Sequence, residues 1–294
     1  MRVVVVGRLG QLGSALMTAF ADLEPVGLDR RLLDIEAPSA VSAMLARHRP
    51  DLVINTAAFH DVEVCEARPD RAFAVNALAI DGLAAQCAVA GSALLHVSTD
   101  YVFDGTATTP YSETDAPNPI SAYGISKYAG ELSIRRHLAE AYVIRTSGLY
   151  GGRGSTSKGM TFIERILAQA AQGVPIRVVT DVTFSPSYTR HVAAAVRRIV
   201  ARKAYGTYHV TNGGSCTWHE FAEDILRQAR IEAPVSRVTS EAFPGMARRP
   251  AFSALAHDAL DRLGIPAIPG WREGIRDYLS ERDHARISAV GARP

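Results

Sequence analysis

Five short runs of apolar, largely β-branched residues punctuate the first half of the chain: Arg2–Val6, Pro25–Leu28, Leu52–Asn55, Ala93–Ser98 and Tyr142–Arg145. Between them lie stretches whose apolar positions recur at helical spacing, near residues 11–21, 37–48, 70–90 and 122–139. The runs predict buried strands and the intervening stretches predict amphipathic helices. This regular alternation is the βαβ rhythm of an α/β fold, a doubly wound parallel sheet of the Rossmann kind over residues 1–150. After Tyr150-Gly151-Gly152 the pattern loosens into a Gly/Ser stretch, a helix around 160–172, a strand at Ile176–Thr180 and a helix at 189–201. Gly206-Thr207-Tyr208-His209-Val210 reads as one more strand and Trp218–Ala229 as an amphipathic helix. A smaller C-terminal lobe is expected from 151–184 and 213–281, with segments near 185–212 returning to the first domain. The polar run 282–294 is expected to be a flexible tail.

Composition narrows the function classes. A chain of 294 residues, 47% hydrophobic and 21% charged, can bury a full core. The net charge of +2 comes from arginines spread along the sequence, which gives no electrostatic case for nucleic acid or a membrane surface. Cys65, Cys87 and Cys216 are far apart and lack CxxC spacing, so reduced, buried thiols and no metal site are expected. The N-terminal apolar run passes directly into glycines without a long h-region or a membrane-length apolar stretch, which points to a cytoplasmic protein.

Tyr123 is followed four residues later by Lys127, in Ser121-Ala122-Tyr123-Gly124-Ile125-Ser126-Lys127. On a helix that spacing stacks phenol and ammonium on one face, one turn apart. A free phenol titrates near 10. An adjacent fixed cation favours the phenolate and makes the hydroxyl a workable proton donor near neutral pH, as the oxygen of a ketone undergoing hydride transfer requires.

Gly7-Arg8-Leu9-Gly10-Gln11-Leu12-Gly13 follows the first strand and opens a helix. Gly7, Gly10 and Gly13 suit a tight turn, close approach of the backbone to a pyrophosphate, and close packing of helix on sheet. Asp29 closes the second strand about 20 residues later, where a carboxylate accepts ribose hydroxyls, while Arg30 and Arg31 offer partners for a 2′-phosphate. NADPH and NADH both remain open. Asp34 and Ile35, in the next loop, suit an adenine edge and face, and Asp34 equally suits the N-cap of a helix starting near Glu36.

These motifs are joined by Asn55-Thr56-Ala57-Ala58, Val75-Asn76 and Ser98-Thr99-Asp100-Tyr101-Val102-Phe103-Asp104-Gly105. Together they make the chain resemble the extended short-chain dehydrogenase/reductases, and within them most closely the dTDP-4-dehydrorhamnose reductases, over essentially its whole length. The resemblance implies that Thr99 hydrogen-bonds a substrate carbonyl, Tyr123 protonates its oxygen, and Lys127 lowers the phenol pKa and holds the nicotinamide ribose. It implies cofactor contacts from Gly10, Gln11, Leu12, Asp29, Asp34, Ile35, Ala57, Ala58, Phe59 and Val97, with Asn76 beside them. It places Thr99, Asp100 and Tyr101 toward the sugar and makes the C-terminal lobe the substrate-binding one, where Arg248 could grip a pyrophosphate. The sheet-end pair Asp100-Tyr101 stands where related dehydratases carry Asp-Glu. The absence of a second carboxylate favours simple ketone reduction.

Three departures concern the substrate side. Gly148 stands where these reductases usually have a Trp, Phe59-His60-Asp61-Val62-Glu63 replaces an aromatic-Thr-x-Val-Asp string, and Asp181–Ser187 lacks the glycine expected before its proline. An enlarged or reshaped sugar pocket is expected. The reading is an NAD(P)H-dependent reductase of the 4-keto group of a nucleotide-activated deoxysugar, dTDP-linked by resemblance. The alternative is a non-catalytic NAD(P)-binding regulatory subunit of the same fold. Monomer and homodimer both stay open.

Overall fold

The computed structural model describes residues 1–152, 159–243 and 245–291. The first half lays down β1 (Val3–Val6), β2 (Val26–Leu28), β3 (Leu52–Asn55), β4 (Ala93–Thr99) and β5 (Ala141–Thr146). The second adds β6 (Leu149–Tyr150), β7 (Ile176–Val179), β8 (Thr183–Phe184), β9 (Ser187–Tyr188), β10 (Gly206–His209), β11 (Cys216–Thr217) and β12 (Val235–Val238). One six-stranded parallel sheet runs β10-β5-β4-β3-β1-β2. The doubly wound sheet expected from the sequence is present, and β10 is the segment that returns to it.

The helices are α1 (Gln11–Ala19), α2 (Pro38–His48), α3 (Val62–Ala67), α4 (Pro69–Phe73), α5 (Ala79–Ala90), α6 (Ala122–His137), α7 (Phe162–Gln172), α8 (Thr189–Ala201), α9 (Trp218–Ala229), α10 (Asp258–Arg262) and α11 (Trp271–Gly291). Side chains alternate across a strand, so Val3 and Val5 face one layer with Leu12, Leu16, Val192 and Val196. Val4 and Val6 face the other with Val41, Leu45, Ile80 and Leu83. Burial on both faces explains why these strands read as unbroken apolar runs. A third cluster, which includes Ile163, Ile176, Phe184, Phe221, Ile225 and Ile275, forms the core of the C-terminal elements.

Two expectations need correction. The chain from 282 does not leave the fold as a tail, because α11 continues to Gly291 and Arg282 Nε donates to Glu164 Oε1 at 2.6 Å. Residues 292–294 lie outside those described. The continuous helix Pro69–Ala90 is also long and apolar enough to cross a membrane by length and composition, although no such stretch was expected. Half of its apolar window is buried in the protein, and α5 packs on α2 and α6.

Candidate active site

Strands β1 and β3 are neighbours from which the chain departs in opposite directions, to β2 and to β4, and this opens a crevice at their carboxyl ends. Gly7 leaves β1 at φ +87°, a conformation that suits glycine, and a Cβ on Gly13 would stand 2.1 Å from Gly7 O. Helix α1 therefore begins hard against the turn. Gly10, its N-cap, provides no side-chain cap, and Gln11 Oε1 is buried without a hydrogen-bond partner. Uncapped backbone N–H groups fit the phosphates of a dinucleotide, and the unpaired Gln11 oxygen is left to accept from a hydroxyl or amide donor.

Asp29 is held by Arg8, whose Nη2 and Nε lie 3.0 and 3.2 Å from its Oδ2, and that hydrogen bond holds its carboxyl below the usual range. Sequence reasoning passed over Arg8. The signal was its place inside the glycine loop, one strand away from Asp29. Arg30 is 77% exposed and lies 3.6 Å from Glu36, outside the Arg8–Asp29 pair. Asp34 accepts from Glu36 N at 3.0 Å in a local turn, while α2 starts later, with Ala37 as its N-cap. The N-cap reading of Asp34 is thereby corrected. Leu12 and Ile35 lie in the cores on either face of the sheet, and Ala57, Ala58 and Phe59 form a partly exposed loop after β3.

Asn76 is placed as a support of that loop. It lies in a widened π turn between α4 and α5, accepts from Phe59 N at 2.8 Å, and donates to Phe59 O and Ser126 Oγ at 2.8 and 3.0 Å. Both of its amide hydrogens and one lone pair of its oxygen are thus engaged in holding the loop.

Tyr123 and Lys127 are brought together on α6, whose N-cap Ser121 accepts from Gly124 N. The Lys127 Nζ donates to Val97 O at 2.7 Å and approaches His96 Nε2 at 3.0 Å, and burial pushes it down to about 8. The Tyr123 phenol is pushed up, chiefly by burial, with a hydrogen bond from Thr99 acting the other way. The lowering by the lysine that the resemblance implied is not the net result here. In the protein alone, desolvation prevails, and the phenol stays protonated at neutral pH.

Thr99 ends β4 and donates to Asp100 Oδ1 at 3.1 Å. Asp100 is buried; its Oδ2 also accepts from Ser147 Oγ at 2.7 Å and Ser253 Oγ at 2.6 Å. Burial raises its pKa against those three bonds. Asp100 was expected to face the sugar. Instead its oxygens are spent tying the ends of β4 and β5 to the C-terminal segment. Tyr101 packs edge-on against Tyr123, ring centroids 5.8 Å apart.

Arg248 is exposed beside a cavity of about 480 Å³, lined also by Glu63, Glu66 and Ile120. Its neighbour Arg249 donates to Glu63 Oε1 at 2.6 Å, and Glu63 Oε2 accepts from Ala247 N at 2.7 Å. Glu63, flagged only as a departure, therefore clamps this C-terminal segment to α3. A second cavity, about 340 Å³, lies against α10 and is lined by none of Thr99, Tyr123 or Lys127. The pocket expected to open at Gly148 is filled: Phe184 Cε2 lies 2.3 Å from where a Cβ on Gly148 would stand.

The family description "RmlD substrate binding domain" matches residues 1–284. The chain belongs to the RmlD substrate-binding family. The chain is 37% identical to the spore coat polysaccharide biosynthesis protein SpsK of Bacillus subtilis, over 97% of this chain and 99% of that one. It is 36% identical to the probable dTDP-4,6-dihydroxy-2-methyloxan-3-one 4-ketoreductase of Streptomyces antibioticus, covering 96% and 95%. Among solved structures, the dTDP-4-dehydrorhamnose reductase of Bacillus anthracis in complex with NADP superposes with a TM-score of 0.91 at 34% identity, covering 95% and 99%. RmlD-family membership agrees with the dinucleotide crevice at β1 and β3.

Proposed function

We propose that the protein is an NAD(P)H-dependent oxidoreductase that reduces the 4-keto group of a nucleotide-activated 6-deoxysugar, dTDP-linked as in the named relatives. One observation carries this reading: a protonated phenol, Tyr123, meets the Thr99 hydroxyl at the carboxyl end of β4, in the same parallel sheet whose β1 ends in the glycine turn. The nicotinamide cofactor, when bound, supplies the hydride. Gly7, Gly10, Gln11 and Gly13 would hold its pyrophosphate, and Arg8 and Asp29 its adenosine ribose.

Tyr123 gives its proton to the developing alkoxide, and Thr99, turning its one O–H from Asp100 to the substrate, hydrogen-bonds the same oxygen and orients it. Asp100, fixed by Ser147 and Ser253, holds the Thr99 side chain in place. Lys127 stands behind Tyr123 as the nearest cation on α6. A regulatory subunit of the same fold has no chemical use for this set. The test is oxidation of NADPH and of NADH against a panel of dTDP-4-keto-6-deoxysugars. Turnover of any of them supports the reading, and binding of cofactor without turnover of any sugar returns it to the regulatory alternative.

A further inference from the structure

Behind Lys127 a line of buried side chains leads away from the site. His96, fully buried on β4, presents Nε2 to Lys127 Nζ at 3.0 Å and Nδ1 to Asn55 Nδ2 at 3.0 Å. Asn55 is its register partner on β3 and is also fully buried. The Asn55 Oδ1 accepts from Ala57 N at 3.2 Å. Two side chains, His96 and Asn55, thus join the lysine to the loop after β3, without a carboxylate in the line. We propose that His96 is a positioning residue for the reduction, a neutral imidazole whose tautomer follows the charge on Lys127 and sets the orientation of Asn55 against the backbone at Ala57.

The proton count requires this coupling. A neutral imidazole has one N–H and one acceptor nitrogen. While Asn55 Oδ1 holds the Ala57 N–H, the amide NH2 faces Nδ1, which must accept. The imidazole proton is then on Nε2, pointing at Nζ, and Nζ can receive it only as the neutral amine. When Nζ takes up one proton from solvent, Nε2 must become the acceptor and the ring proton moves to Nδ1. Asn55 then has to turn its oxygen toward His96, which puts its NH2 where Oδ1 had been and leaves the Ala57 N–H without its partner. Each arrangement satisfies the imidazole, the second at the expense of the Ala57 N–H, and they exclude one another.

The charged groups around this line are few. On α6, Tyr123 lies one turn before Lys127 and Glu131 one turn after it. Glu131 is engaged by Arg145 of β5 at 2.7 Å and draws the lysine upward. Asp100 at the end of β4 and Cys65 of α3 act on Tyr123. Burial and the lysine charge hold His96 well below its ordinary range, so the ring stays neutral while Lys127 titrates at about 8.

The proposal rests on the reductase reading for its kinetic arm only. In the whole protein, ring 15N shifts of His96 recorded from about pH 6.5 to 9.5 are expected to show the proton on Nδ1 at the acid end and on Nε2 at the alkaline end. A tautomer that does not change over this range overturns the proposal whether or not any sugar is reduced. In the kinetic arm, His96→Phe removes the acceptor and leaves the ammonium against an apolar ring. Its alkaline limb of kcat/KM is expected to move down by at least one pH unit, and the cofactor KM to rise several-fold. His96→Gln, which keeps an acceptor, is expected to restore most of the cofactor KM. A pH profile of His96→Phe superimposable on the wild type overturns the proposal. If His96→Phe does not fold, the NMR titration decides.

Discussion

The ring of Phe184 lies over Gly148, with Cε2 and Cδ2 at 2.3 and 2.5 Å from where a Cβ would be, and stacks on Trp218 at a centroid distance of 3.8 Å. Gly148 adopts φ +50°, which disfavours any side chain. Gly148→Trp is therefore expected to destabilise the fold by roughly 2–5 kcal/mol, overpacking and the left-handed backbone acting together. Denaturant titration measures this, and Phe184→Ala in the same chain should recover part of the loss. A Gly148→Trp protein as stable as wild type would mean that Phe184 moves freely.

Tyr123→Phe removes the proton and keeps the ring, so kcat should fall about 10²–10⁴-fold while cofactor affinity is retained. Stopped-flow turnover with fluorescence titration of the cofactor separates the two. Retention of more than about a tenth of kcat would exclude Tyr123 as the acid.

The cofactor preference is expected to depend on Arg8 rather than Arg30. Arg8 is paired with Asp29 at 3.0 Å, whereas Arg30 projects into solvent. Loss of a charge-assisted bond to a 2′-phosphate costs roughly 1.5–3 kcal/mol. Arg8→Ala should weaken NADPH by about that amount, with a smaller effect on NADH, and Arg30→Ala should change both by less than about twofold. Equal losses of both cofactors in Arg8→Ala would show that Arg8 only orders the Asp29 loop.

Asp100 gives a pH signature. Its folded-state pKa is raised by burial, so it contributes stability that is present in acid and lost as pH rises through the folded value. Asp100→Asn removes the buried charge and keeps an acceptor for the hydroxyls. The variant is expected to melt at or above the wild-type temperature at pH 8, with the gap closing as pH is lowered toward 4. A gap that widens in acid would mean that the three hydroxyls hold Asp100 ionised throughout.

The main elements were legible in the sequence because both faces of a parallel sheet are buried, which makes β1 to β5 apolar, and because α6 must alternate core and cleft positions. Local spacing also displayed the Gly7–Gly13 turn and the Tyr123–Lys127 pair, since each acts over one turn of chain. The two-residue strands β6, β8, β9 and β11 were not legible, being too short to carry a period. The end of α11 was misread because a polar helix and a polar tail have similar composition.

Tertiary structure alone decided the rest. Asp100 meets Ser253 across 153 positions, Glu63 meets Arg249 across 186, and His96 meets Lys127 across 31. Sequence spacing has no term for such pairs, because the sheet register and lobe packing that bring them together come from the summed burial of many apolar side chains. The same holds for the sign of the Tyr123 shift. The residue types at 123 and 127 announce an acid beside a cation, but the depth at which the fold buries them determines that desolvation prevails.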